Sequence, residues 1–218
     1  MIRLDEVTVS LGGRTILRRV SAEFPDASIS HLGGVNGSGK TSLIRTIAGL
    51  QSFTGTVTID GARQSPRGAP LRWRAAAGDA PSVYVVFDDA PVYRNLSGVE
   101  NLRMLVGRSL TVGEILGSAP PLVDRRALQH RAGELSHGQR KRLHLVAAFL
   151  SGARCLLLDE ALDGLDTDSL AWAAESLEER ARTATVVLTG HHSDAAADLA
   201  GHQFSLGAGR LAIKGPLL

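Results

Sequence analysis

Gly34-Val35-Asn36-Gly37-Ser38-Gly39-Lys40-Thr41 narrows the possible folds of this chain more than any other stretch. It fits the pattern G-x-x-x-x-G-K-[ST] in full. An apolar run from Ala27 to Leu32 precedes it, and Leu43, Ile44, Ile47 and Leu50 follow at helical spacing. The order is therefore strand, glycine loop, helix. Glycines let the backbone wrap closely and aim its N–H groups at phosphate oxygens. The start of the following helix adds a partial positive charge at the same place. Lys40 is placed to reach the β- and γ-phosphates, the Thr41 hydroxyl to ligate Mg²⁺, and Ser42 stands next in the first helical turn. A nucleoside triphosphate with its Mg²⁺ is the ligand such a loop predicts, bound by residues 34–42.

Elsewhere the apolar spacing alternates between periods of two and 3.6. Residues 2–9 alternate as Ile2, Leu4, then Val7, Val9, which predicts a strand. Thr54 to Asp60 alternates again and ends at the turn pair Asp60-Gly61. Val83–Phe87, Arg154–Leu158 and Thr185–Thr189 predict buried strands, and a strand pair closes the chain. Helices are predicted from Gly138 to about Leu150, over Thr167–Arg182 and over Ser193–Ala200, while residues 61–81 read as loop. Strands alternating with helices imply an α/β fold with a mostly parallel sheet covered on both faces. The middle differs. Helical pieces at Val99–Val106 and Arg125–Arg131 flank a Gly/Pro-rich break at Gly117–Pro121. Residues of about 89–150 therefore read as a helical lobe inserted into a core of about 1–88 and 151–218, all within a single domain.

A second chemical feature closes one of the predicted strands. Cys155-Leu156-Leu157-Leu158-Asp159-Glu160 puts two acids at a strand's carboxyl end, where ligands of parallel sheets bind. Asp159 is placed to hold Mg²⁺ and Glu160 to polarise an attacking water. Other functions are disfavoured. A net charge of +2 without any block of like charges gives no reason to expect nucleic acid. One cysteine, Cys155, rules out an internal disulfide and a four-cysteine zinc site. Met1–Glu6 carries acids where a signal peptide needs an apolar stretch, and no run reaches the roughly 18 apolar residues of a membrane span. A cytosolic chain is expected, whose membrane spans, if it works at a membrane, belong to a partner.

Further motifs carry a family resemblance. Leu135-Ser136-His137-Gly138-Gln139 resembles the L-S-G-G-Q signature of ATP-binding-cassette (ABC) ATPases, with His137 in place of the first glycine. Gly164-Leu165-Asp166 resembles the family's D-loop, and Thr185–His191 resembles the strand that ends in its switch histidine. With the glycine loop and the acid pair, five motifs follow in the family's order across essentially the whole chain. The resemblance implies a P-loop NTPase core with a mostly parallel sheet, an antiparallel β subdomain at the N-terminal side and an inserted α-helical subdomain. It implies ATP and Mg²⁺ as cofactors and Lys40, Glu160 and His191 as catalytic residues, His191 holding the γ-phosphate and the attacking water. Ser136, Gly138 and Gln139, at a helix start, together with Asp166, would act on ATP held by a second ABC ATPase subunit, identical or different. A transmembrane permease would dock on the helical lobe, with the pair at the cytoplasmic face of the membrane.

Three positions depart from the family pattern. Leu11 stands where an aromatic residue stacks on the base, a loss on the order of 1 kcal/mol. Asp88 stands at the glutamine of the family's Q-loop, where as an acid it is a candidate Mg²⁺ ligand. His137 adds bulk where the signature backbone nears phosphate.

Overall fold

The computed structural model describes residues 1–66, 82–89, 91–190 and 197–214. Its strands divide into two sheets. The first is antiparallel, in the order β2-β1-β4-β5, from β1 (Ile2–Leu11), β2 (Arg14–Phe24), β4 (Thr54–Ile59) and β5 (Ala62–Arg63). The second runs β10-β9-β3-β8-β7-β6, from β3 (Ser28–Gly33), β6 (Val83–Val86), β7 (Cys155–Asp159), β8 (Thr185–Thr189), β9 (His202–Gly207) and β10 (Arg210–Ile213). All its pairings are parallel except β9 with β10. The architecture is the one expected: an α/β fold with a mostly parallel sheet and an antiparallel sheet near the N-terminus.

Strand alternation gives the parallel sheet two apolar faces. On β7, Leu156 and Leu158 join one cluster with the helices α2 (Gly98–Val106), α3 (Val112–Ser118), α4 (Arg125–Gln129), α5 (His137–Leu150) and α6 (Thr167–Ala181). Cys155 and Leu157 face the other way. They pack with Leu43, Ile44 and Ile47 of α1 (Lys40–Ile47) and with Ile2, Leu4, Val9 and Leu17 of the antiparallel sheet. Helix α1 thus shares one apolar cluster with strands of both sheets. Each fully buried Leu or Ile there contributes about 1.5–3 kcal/mol relative to exposure. Helices α2 to α5 all lie in the chain segment between β6 and β7.

Besides β5, which falls in the predicted loop, and a single 3-10 turn at Ala132–Glu134, two elements escaped the sequence reading. The first is β2, whose buried residues Leu17, Val20 and Phe24 do not keep a period of two. Register shifts explain this: β1 and β2 both bulge, with Glu6 at φ 51° and Arg19 at φ 47°. The bulged amides are satisfied by hydroxyls, Glu6 N donating to Ser21 Oγ (3.0 Å) and Arg19 N to Thr8 Oγ1 (3.0 Å). An Arg19–Glu6 ion pair spans the two bulges. The second is α3, seven residues long, which lies against the Gly/Pro-rich break. Its start is fixed by a capping box, with Thr111 Oγ1 accepting from Glu114 N (3.2 Å) and the Glu114 carboxylate accepting from Thr111 N (2.6 Å). The loop predicted over 61–81 and the helix predicted over Ser193–Ala200 lie largely outside the described residues.

Candidate functional site

The carboxyl ends of β3, β8 and β7 meet at one edge of the sheet. Leu32, Thr189 and Asp159 are register partners across these three strands. The glycine loop leaves β3 immediately beyond that line. Gly34, Gly37 and Gly39 have φ of 151°, 75° and 109°, a region L side chains rarely enter. At Gly34 a Cβ would also strike the Leu206 carbonyl and sit 2.8 Å from Ser38 Oγ, so the position is closed to any other residue. Ser38 N donates to Val35 O (3.1 Å), which closes the turn before α1 begins at Lys40.

Lys40 is buried and folded back over the loop, its Nζ donating to the carbonyls of Gly34 (2.9 Å) and Val35 (3.5 Å). Ser38 Oγ is buried with no hydrogen-bond partner among the described residues. A buried hydroxyl without a partner costs about 1–3 kcal/mol, so this loop is built to meet a polar ligand. Ile16, Asn36, Gly37, Lys40, Thr41, Ser42 and Glu160 share one cleft of about 320 Å³, which Gly39 also borders. A lysine, a glycine loop, two hydroxyls and a carboxylate around one cleft fit a polyphosphate with a divalent cation.

The acid pair is held from the neighbouring strand. Thr189 Oγ1 donates to Asp159 Oδ1 (2.8 Å) and accepts from Glu160 N (3.0 Å). Asp159 is buried, while Glu160 is half-buried and lines the cleft. Glu160 has φ 53°, a strained value for a residue with a side chain, and such strain concentrates at functional positions. Thr189 had no place among the residues singled out from sequence. A threonine closing an apolar strand reads as a strand end, and only the β7–β8 register sets it against Asp159. Ile16 was missed too, because it lies in the bulged β2.

The remaining residues lie apart from this cleft. Ser136 caps α5 in a capping box with Gln139: Gln139 N donates to Ser136 Oγ (3.2 Å) and Ser136 N to Gln139 Oε1 (2.9 Å). Ser136, His137 and Gly138 are exposed, and none of the three lines the cleft. Asp166 caps α6, accepting from Ser169 N (2.9 Å) and from the Arg142 guanidinium (2.6 Å). Those bonds, the Ser169 amide first, hold its carboxyl below the usual range. Leu11 ends β1, half exposed across a glycine turn from Arg14, and Ile16 rather than Leu11 borders the cleft. Asp88 does not line the cleft that holds Thr41. Its carboxylate accepts from Lys141 Nζ (2.9 Å), with His137 Nε2 at 3.6 Å, and the Lys141 bond holds its pKa below the ordinary value. His191 lies outside the described residues.

Comparison with known proteins accords with this geometry. The family model for ABC transporters matches residues 17–163. The chain is 31% identical over 195 residues to the cytochrome c biogenesis ATP-binding export protein CcmA of Rhodobacter capsulatus, covering 89% of this chain and 82% of CcmA. It is 26% identical over 197 residues to the lantibiotic transport ATP-binding protein SrtF of Streptococcus pyogenes, covering 88% and 80%. Among solved structures, the dimeric MJ0796, a bacterial ABC transporter cassette, superposes with a TM-score of 0.82 at 22% identity, over 100% of this chain and 99% of that one.

Proposed function

Because the chain belongs to the ABC transporter family, whose model spans residues 17–163, we propose that it is an ATP-binding and ATP-hydrolysing subunit that drives a separate transmembrane permease. Two such cassettes close on ATP, each supplying one half of each site. The observation that carries this reading is a separation within one chain. Lys40, Thr41 and Glu160 line one cleft, whereas the Ser136 helix tip is exposed and borders none of it. A second subunit is the natural source of the missing wall.

In this mechanism the glycine loop binds the phosphates through its amides, and Lys40 turns its Nζ from the loop carbonyls to the β- and γ-phosphate oxygens. Thr41 and Asp159 would hold Mg²⁺, which would offset phosphate charge as a Lewis acid. Glu160 accepts a proton from the attacking water, its backbone held by the hydrogen bond its N–H donates to Thr189 Oγ1. His191 holds the γ-phosphate. The second subunit's Ser136 helix start places N–H groups and a hydroxyl against the same phosphate. Ile16 gives the base an aliphatic rather than aromatic neighbour. No helix among the described residues is long and apolar enough to cross a membrane, so the permease supplies the spans and the cassette works at the cytoplasmic face.

Glu160→Gln is the decisive variant. It is expected to keep ATP affinity, to lower turnover by about 10²–10⁴-fold, and to accumulate as an ATP-dependent dimer in sedimentation. A variant that turns over ATP like the wild type, or stays monomeric with ATP and the permease present, overturns the mechanism. Recovery of a multi-span membrane protein with the tagged chain tests the partner.

A further inference from the structure

We propose that Lys141 is a positioning residue that fastens the loop after β6, the helix bearing Ser136 and the turn behind Glu160 into one hydrogen-bonded chain. The inference rests on the function proposed above and names a residue that ties its parts together. Lys141 is buried, at 7% exposure, just over one turn into α5 from the Ser136 cap. Its Nζ donates to Asp88 Oδ1 (2.9 Å) and to the Asp163 carbonyl (3.0 Å). The chain continues from there: Asp163 N donates to Glu160 O (3.2 Å), Glu160 N to Thr189 Oγ1 (3.0 Å), and Thr189 Oγ1 to Asp159 Oδ1 (2.8 Å). An unbroken path thus runs from the Asp88 loop to both acids of the cleft, with the signature helix attached midway.

The chemistry makes this path hard to break. Removing the carboxylate leaves the buried ammonium with the Asp163 carbonyl alone to offset its desolvation, so the loss of Asp88 falls on Lys141. While Lys141 holds it, the Asp88 carboxylate is engaged as a joint between segments rather than as a free metal ligand. His137 Nε2, 3.6 Å from the same oxygen, adds a second contact from the helix tip. A cleft of about 290 Å³ between the Asp88 loop and α5, lined by His137, Arg140 and Lys141 among others, leaves the loop room to shift. Displacement of that loop pulls on α5 and on the Glu160 turn at once.

A double-mutant cycle on the full chain tests this, using Lys141→Gln, Asp88→Asn and the double variant, with Lys141→Arg as the conservative control. The readouts are ATP KM and kcat, and hydrogen exchange of residues 82–89 and 160–166 with and without ATP. Lys141→Gln and Asp88→Asn should each lower kcat about tenfold, a size typical of coupled neighbours, with KM changed by less than about twofold. The double variant, whose two amides can pair, should be no worse than either single one, and Lys141→Arg should recover most of kcat. In the wild type ATP should slow exchange in both segments together. In Lys141→Gln it should slow only 160–166. A support role confined to packing would speed exchange in both segments regardless of ATP and would lower Arg and Gln variants alike; that result overturns the proposal, as do single effects that simply add. A wild-type chain that binds no ATP overturns the proposed function as well; one that binds ATP while the Lys141 variants match it overturns this inference alone.

Discussion

At the scale of single residues, Thr189 carries the most consequence for its size. One hydroxyl donates to Asp159 and accepts from the Glu160 amide, so it orients both acids. Thr189→Val keeps the shape and removes both bonds, leaving a buried carboxylate and an amide short of partners. It should cost about 1–3 kcal/mol in chemical denaturation and lower ATP turnover more than ATP affinity, measured by turnover and by equilibrium nucleotide binding. This residue also marks where the sequence stops being legible. The glycine loop and the Asp159-Glu160 pair declare themselves because their residue types and spacing have little other use. Thr189 and Lys141 do not, since their roles exist only across strand register and across a helix–loop contact far apart in the chain. Leu11 illustrates the opposite case, a position read by motif alignment that the fold leaves half exposed at a hairpin end.

Among the elements, the three capping boxes allow a sharp comparison. Ser97, Thr111 and Ser136 each cap a helix and each bond reciprocally with an acid or amide three residues on. Ser97→Ala and Thr111→Ala should each cost about 0.5–2 kcal/mol in thermal melts and leave ATP turnover per folded molecule unchanged. Ser136→Ala should cost the same in stability and also lower turnover if, as proposed, its hydroxyl and helix start act on the nucleotide of the second subunit. Equal turnover in all three variants would detach α5 from the chemistry. Legibility at this scale follows periodicity. The unbulged apolar strands β6, β7 and β8 and the long helices α5 and α6 were readable within a residue or two. Strand β2 was not, since the bulge at Arg19 moves its buried residues from Leu17 to Val20 out of phase. Helix α3 is too short for a periodic signal and is defined by its cap.

For the molecule as a whole, the sheet separates two apolar clusters, and the pH response belongs to the one holding the helices. His144 on α5 is buried, its Nε2 donating to the Pro91 carbonyl (2.9 Å), and burial pushes its pKa down. The folded state therefore keeps this ring neutral where the unfolded chain takes up a proton. As pH falls through about 6.5, the ordinary histidine value, the unfolded state binds more protons and stability declines. Denaturation midpoints should fall between about pH 7 and 5.5, with a shallower slope in His144→Gln. Strand order has a further outcome during synthesis. Among the described residues, the strand that launches the glycine loop, β3, pairs with β8 (Thr185–Thr189) and β9 (His202–Gly207). The ribosome makes that loop early, yet β3 meets its partner strands only once those later segments leave the exit tunnel, so it waits, apolar and unpaired, while β1, β2 and β4 can already pair with one another.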